Sequence, residues 1–279
     1  MQVPLYAQIP IAILALWLFT VYLARSFPTL TDKRILLLIA HPDDEAMFFS
    51  PALTHLTRPE LGNQVAILCL SSGDADGLGA VRKGELAESA LMLGVRAREH
   101  VVVLEDEKLR DGMGEVWEAK YIASLLMKFL APTASKVSAK EAPKATIDVL
   151  ITFDKDGVSG HANHRACLAG ARAFLTALMA RHQGWENPVK LYTLSSTSIL
   201  RKYISVLDAP STVLRCIFSK KERGDFPSPM MMVSGPGDVR RGQRAMTSGH
   251  RSQMRWFRWG WIGVGRFMVM NDLRRVKGA

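Results

Sequence analysis

Five short apolar runs, each closed by a polar or glycine-rich break, pace this chain. They lie at residues 35–40 (ILLLIA), 64–70 (QVAILCL), 101–104 (VVVL), 147–153 (IDVLITF) and 189–194 (VKLYTL). None alternates apolar with polar positions. Continuous runs of this length suit strands buried on both faces, as in a parallel sheet. Between them lie stretches of helical period: 44–56, with Pro51 interrupting it, then 81–93, 116–130 and about 162–181. Strands alternating with helices predict an α/β fold, with a Rossmann-like, doubly wound, mostly parallel sheet. Residues 131–145 (APTASKVSAKEAPKA) contain no aromatic residue and predict an exposed, mobile loop. No internal repeat is visible.

The first 24 residues carry no charge, and 9–24 (IPIAILALWLFTVYLA) are almost wholly apolar. With residues 3–8 added, the stretch reaches the ~20 residues that cross a bilayer as a helix. A cleaved signal peptide would show a basic n-region and a shorter apolar run, so a retained span is the better reading. Arg25, Lys33 and Arg34 follow the span and no Lys or Arg precedes it, which predicts that the remainder lies in the cytoplasm. The expected organisation is an anchor at 1–25, a linker at 26–34 and a catalytic domain at 35–279.

Charge sharpens this picture. The net charge is +10, and residues 215–279 hold 14 Lys and Arg against 4 Asp and Glu, so the rest of the chain is balanced. A basic tail serves nucleic acid or an anionic membrane surface. Beside a membrane span, lipid is the expected partner and nucleic acid is not. Residues 254–267 (MRWFRWGWIGVGRF) mix Trp256, Phe257, Trp259, Trp261 and Phe267 with Arg255, Arg258 and Arg266. That mixture suits a membrane interface, with Arg on lipid phosphates. A core-packing segment with its Arg in solvent is the alternative. The three Cys are scattered without a CxxC, which fits a reducing compartment.

Candidate chemistry lies at two strand ends. After the first run comes His41-Pro42-Asp43-Asp44-Glu45. Pro42 cannot continue a central strand, so the chain leaves the sheet there. Ligands of open α/β sheets bind just beyond the carboxyl ends of the strands. One Asp would suffice to cap a following helix. Three acids with a His call for a positive charge between them, and a divalent metal supplies one. After the fourth run, residues 154–165 (DKDGVSGHANHR) place His161 and His164 three apart, near one face of a helix's first turn. Two His and one Asp form a common catalytic Zn²⁺ ligand type. A second carboxylate can act as general base, and a second His can hold an oxyanion or protonate a leaving amine. The parts suit metal-assisted amide hydrolysis, though spacing leaves open which Asp is the ligand. The Gly-rich segment after the second run (SSGDADGLG) also permits a membrane-bound nucleotide-sugar transferase, although it is not GxGxxG. A silent membrane scaffold would have no need of either motif.

AHPDDE with a later GHANH resembles the LmbE-like metal-dependent deacetylases, and the chain as a whole resembles their membrane-bound eukaryotic branch, the PIG-L family. The resemblance extends over the N-terminal span, AHPDDEAMFF, SSGDADGLGAVRKGEL, FDKDGVSGHANH and AMTSGHRSQMRWFR. It implies a divalent metal, Zn²⁺, held by His41, Asp44 and His164, with Asp43 as general base. It implies that His161 stabilises the intermediate or donates a proton. Arg82 and Glu85 match the family's RxxE and would shape the sugar pocket, unless they are an ordinary helix-face pair. His250 and Gln253 match its HxSQ and would reach the substrate headgroup. The implied reaction removes acetate from N-acetylglucosaminyl-phosphatidylinositol at the cytoplasmic face of the endoplasmic reticulum membrane, the second step of GPI-anchor synthesis. Another N-acetylated glycoside is the alternative substrate.

Overall fold

The computed structural model describes residues 4–277. Seven strands form one sheet: β1 (Arg34–Ile39), β2 (Gln64–Cys69), β3 (Val101–Val103), β4 (Val149–Phe153), β5 (Lys190–Leu194), β6 (Met230–Val233) and β7 (Met270–Arg275). Their order is β3-β2-β1-β4-β5-β7-β6. The helices are α1 (Leu5–Ala24), α2 (Asp44–Met47), α3 (Ser50–Leu56), α4 (Gly79–Met92), α5 (Ala119–Leu130), α6 (Gly157–Gly160), α7 (Ala162–Met179), α8 (Ile199–Lys202), α9 (Ala209–Phe218), α10 (Pro236–Arg244) and α11 (Trp256–Val264).

β1 to β5 are mutually parallel, as the continuous apolar runs predict. β7 is antiparallel to both of its neighbours, so β6 again runs with the parallel set. From β1 the chain winds outward through β2 to β3, then returns to pair β4 on the other side of β1. Right-handed crossovers therefore put α3 and α4 on one face of the sheet and α5 and α7 on the other. The order reverses between β1 and β4, and a crevice opens beyond their carboxyl ends.

Several local expectations are corrected. The 44–56 helix breaks at Phe48 and Phe49, not at Pro51. Pro51 sits in the first turn of α3, where its missing N–H has no intrahelical partner to lose. The helix expected from 116 begins at Ala119, and Trp117 is instead buried with Nε1 donating to the Arg110 carbonyl. The 254–267 segment is a two-sided element. Trp261, Ile262 and Phe267 are buried, whereas Trp256, Phe257 and Trp259 are exposed. Arg266 faces neither solvent nor lipid. It is 0% exposed and pairs with Asp208 and Asp272.

α1 is long and apolar enough to cross a membrane, yet its second half packs on the domain. Trp17 Nε1 donates to the Ser234 carbonyl at 2.8 Å, one residue past the end of β6. Leu23 and Phe27 share a cavity with Ser228 and Pro229, which precede β6. The helix thus runs against the strand direction. Its first twelve residues, ~18 Å at 1.5 Å each, lead away from the carboxyl ends of the strands. Leu30, in the segment expected to be a linker, is fully buried.

Candidate active site

The buried run of β1 ends at Ala40, and the chain turns through His41-Pro42-Asp43 into α2. Neither Asp caps that helix conventionally. Asp44, its first residue, turns its carboxylate back, and Oδ2 accepts the amides of Ala40 at 3.1 Å and His41 at 2.9 Å. Asp43 has φ +127°, a region that a side-chain-bearing residue seldom occupies. Its amide donates to Glu45 Oε2 at 3.2 Å, and its carboxylate accepts from Arg258. Strain of this kind persists where surrounding contacts over-determine it, and it concentrates at functional sites.

The β4 side is built by a tight turn. Gly157 has φ +59°, and a Cβ there would lie 2.9 Å from the Cβ of His164, so the position requires glycine. The Gly157 carbonyl accepts from His164 Nδ1 at 3.0 Å, which leaves Nε2 facing Asp44 Oδ1 at 3.1 Å. His161 is the N-cap of α7, and its Nδ1 accepts the Asn163 amide at 3.2 Å. With Nδ1 an acceptor, the neutral ring carries its proton on Nε2.

The two strand ends converge. His41, Asp44 and His164 are all buried, with ligand atoms within 4.8 Å of one another. His41 Nε2 faces Asp111 Oδ1 at 3.0 Å and Asn163 Oδ1 at 3.1 Å, so it is the protonated nitrogen, and Nδ1 is left toward Asp44. Oxygen acceptors behind both imidazoles are the outer support that metal-ligating His uses. This donor set, two oriented imidazoles and a buried carboxylate, fits a divalent cation. The rings of His41 and His161 lie 4.9 Å apart, so His161 borders the same centre.

Electrostatics follows from this packing. Burial would raise the Asp44 carboxyl, but His164, His41 and the His41 amide hold it below the usual carboxylate range. Burial would lower His41, yet the bond to Asp111 and the nearby Asp44 raise it. Partial burial, with His41 and His164 beside it, lowers His161. Asp111 is held low by His41 and Arg82 against its own burial.

The other sequence candidates surround this centre. Arg82 is buried and donates to the carbonyls of Gly73 at 2.6 Å and Pro42 at 2.8 Å, with Asp43 and Asp111 3.5 and 3.6 Å away. Glu85 accepts from the amide and hydroxyl of Ser252. It therefore ties α4 to the 250–254 turn. Gln253 is part-buried and bonds Ser252 Oγ at 2.9 Å. His250, expected at the headgroup, is 0% exposed and pairs with Glu45 Oε1 at 2.6 Å. Burial pushes its imidazole pKa down, but Glu45 outweighs that and the net direction is up. His250 thus lies beneath the site, steadying the Glu45 that receives the Asp43 amide. Sequence reasoning missed Asp111, Asn163 and Arg258. Asp111 sat unmarked in a charged loop and Arg258 in an aromatic tail, and only the fold brings them to HPDDE.

A model of the family described as PIG-L, GlcNAc-PI de-N-acetylase, matches residues 36–175, a segment that runs from β1 into α7 and contains both halves of the centre. The N-acetylglucosaminyl-phosphatidylinositol de-N-acetylase of Arthroderma benhamiae is 44% identical over 96% of each chain. The protein of that name from Bos taurus is 34% identical over 86% of this chain and 83% of its own. Among solved structures, N,N'-diacetylchitobiose deacetylase from Pyrococcus horikoshii covers 99% of this chain and 95% of its own. Its TM-score is 0.52 at 15% identity, a likeness of fold. Similarity that runs from the N-terminal helix through both motifs to the basic tail means that this chain belongs to the PIG-L family of GlcNAc-PI de-N-acetylases.

Proposed function

We propose that the chain hydrolyses the acetamide of N-acetylglucosaminyl-phosphatidylinositol, releasing acetate and glucosaminyl-phosphatidylinositol, as the second step of GPI-anchor biosynthesis. The observation that carries the chemistry is the convergence of His41, Asp44 and His164 beside Asp43 and His161 at the β1–β4 crevice. Family membership supplies the substrate class.

His41, Asp44 and His164 would hold a divalent cation, Zn²⁺ in our reading, which when bound supplies Lewis acidity and a water of pKa about 7. The chain's own groups do the rest. Asp43 takes the proton of the attacking water as general base. Arg258 and Arg82 flank its carboxylate and fix its direction. As water adds, charge develops on the acetamide oxygen, and the Nε2–H of His161 donates to it. The C–N bond then breaks as the nitrogen takes up the proton that Asp43 received from water, and the amine and acetate depart. Arg82 and Glu85 hold the sugar pocket's wall, and Gln253 lies at its edge.

In this reading α1 anchors the enzyme in the endoplasmic reticulum membrane, with the domain on the cytoplasmic side. The absence of charge in α1 and the basic residues that follow it support that orientation. The deciding assay incubates the full chain in detergent with N-acetylglucosaminyl-phosphatidylinositol and measures free acetate, with and without a chelator. Acetate lost on chelation and restored by a divalent ion is the expected result. No acetate from folded, metal-loaded protein would sink the proposal.

A further inference from the structure

We infer that the apolar groove between α1 and α11 seats the acyl chains of the phosphatidylinositol lipid whose sugar lies at Asp43, an inference that rests on the deacetylase reading above. The groove encloses about 610 Å³ and is lined by Ile13 and Trp17 of α1, Val206 and Leu207 of the turn before α9, and Ile262 and Val264 of α11.

Three observations converge on hydrocarbon as the occupant. First, α11 joins the groove to the catalytic carboxylate. Near its start Arg258 pairs with Asp43, and in its middle the Trp261 indole donates to the Met47 carbonyl at 3.0 Å. Its last residues line the groove. From Arg258 to Val264 is six residues, ~9 Å along the axis, a separation that two linked six-membered rings and a phosphate can bridge. Second, the groove's other wall is α1, the helix that is apolar enough to cross a membrane. A chain leaving the bilayer alongside α1 would enter the groove laterally, without crossing water. Third, two polar side chains on the walls already have partners. Gln243 Nε2 donates to the Ile262 carbonyl at 3.0 Å, and Trp17 Nε1 donates to the Ser234 carbonyl. The walls present mainly apolar surface, and the rim residues Tyr203, Leu207 and Val264 are exposed.

Gly263 makes the groove testable. A Cβ built there meets no atom within 4 Å, so a large side chain can grow into the space without displacing backbone. The full chain in detergent is irradiated with phosphatidylinositol carrying a diazirine in one acyl chain, and the labelled peptides are mapped. The expected label falls on the stretches holding Ile13, Val206 and Val264, and drops at least about five-fold in Gly263→Phe, while label on the outer face of α1 near Phe19 persists. An unchanged melting temperature certifies the fold of that variant. Val264→Trp, at the exposed rim, gives the same reading should Gly263→Phe not fold. Label confined to the outer face of α1, or groove label that both fillers leave intact, overturns the inference. Acetate release is measured on the same samples. Release accompanied by label only on the outer face of α1 removes the groove and leaves the deacetylase. Groove label abolished by the fillers supports the groove whether or not acetate appears.

Discussion

The guanidinium of Arg258 sits on the carboxylate of Asp43, 215 residues away along the chain. The pair joins the aromatic C-terminal helix to the strained turn at the head of α2. Arg82 approaches the same Asp43 oxygen at 3.5 Å. A carboxylate held by two guanidinium groups has a fixed direction, which is what a base aimed at one water needs. Arg258→Leu should lower kcat by about ten- to a hundred-fold while the metal content of the purified protein is unchanged. Loss of metal together with turnover would show that Arg258 serves the fold of the whole centre.

Roles within the centre separate by metal content. His164→Ala or Asp44→Ala should yield protein that neither retains a divalent ion nor turns over. Asp43→Asn should retain the ion by elemental analysis and lose most turnover, because the amide cannot accept the proton. Near-normal turnover in Asp43→Asn would remove the general-base assignment.

Acid should act on the far side of the sheet. Asp208 is buried between Arg201, Thr212 and Arg266. Burial would raise its carboxyl, but the bonds from Arg201 and Arg266 hold it below the ordinary 3.8. A depressed folded-state pKa contributes stability above the unfolded value and loses it as pH falls through the folded value. Wild-type melting temperature should therefore fall below about pH 4. Asp208→Asn should flatten that limb. At pH 7 the variant leaves the buried Arg266 short of charge, a loss of about 3 kcal/mol, or roughly 6–12 °C for a domain this size. An unchanged melting temperature at pH 7 would mean that Asp272 alone satisfies Arg266.

Deleting residues 1–25 should do more than remove a helix long and apolar enough to cross a membrane. Trp17 and Val21 pack on the cluster formed by Val206, Val213, Met231 and Val239. Removing them exposes that cluster, so the truncated domain should melt several degrees lower and need detergent to stay monodisperse. A truncated domain as stable and soluble as the full chain would mean that α1 is only a tether.

What could be read along the chain was whatever is local. β1, β2, β4 and β5 announce themselves as mainly apolar runs without strict alternation, because strands buried on both faces need none. The two motifs that hold His41, Asp44 and His164 were legible because they sit at strand ends, where α/β sheets bind ligands, although spacing left open which Asp faces the two His. β6 and β7 escaped notice for physical reasons. β6 is four residues, three of them Met, and β7 carries Asn271 and Asp272 inward. Their burial is tolerable only because Asn271 bonds the Phe48 carbonyl and Asp272 bonds Arg266. No window of sequence joins Asn271 to Phe48, 223 residues away, and Arg266, six residues before Asp272, reads in sequence as a lipid-facing charge. The same holds for Arg258, whose charge looks like lipid-facing decoration until the fold delivers it to Asp43. His250 shows the converse: a matching motif put it near the site, and only packing distinguishes a group in the crevice from one beneath it.

The placement of β7 between β5 and β6 governs when this molecule can exist during its own synthesis. The sheet has a gap in its interior until residues 270–275 have emerged from the ribosome. By then α1 has long been made and can already be held in lipid. The nascent chain is therefore incomplete until then, with β6 unpaired and the edge of β5 open. A stop codon just ahead of Met270 would spare every catalytic residue named above and still leave no closed sheet to carry them.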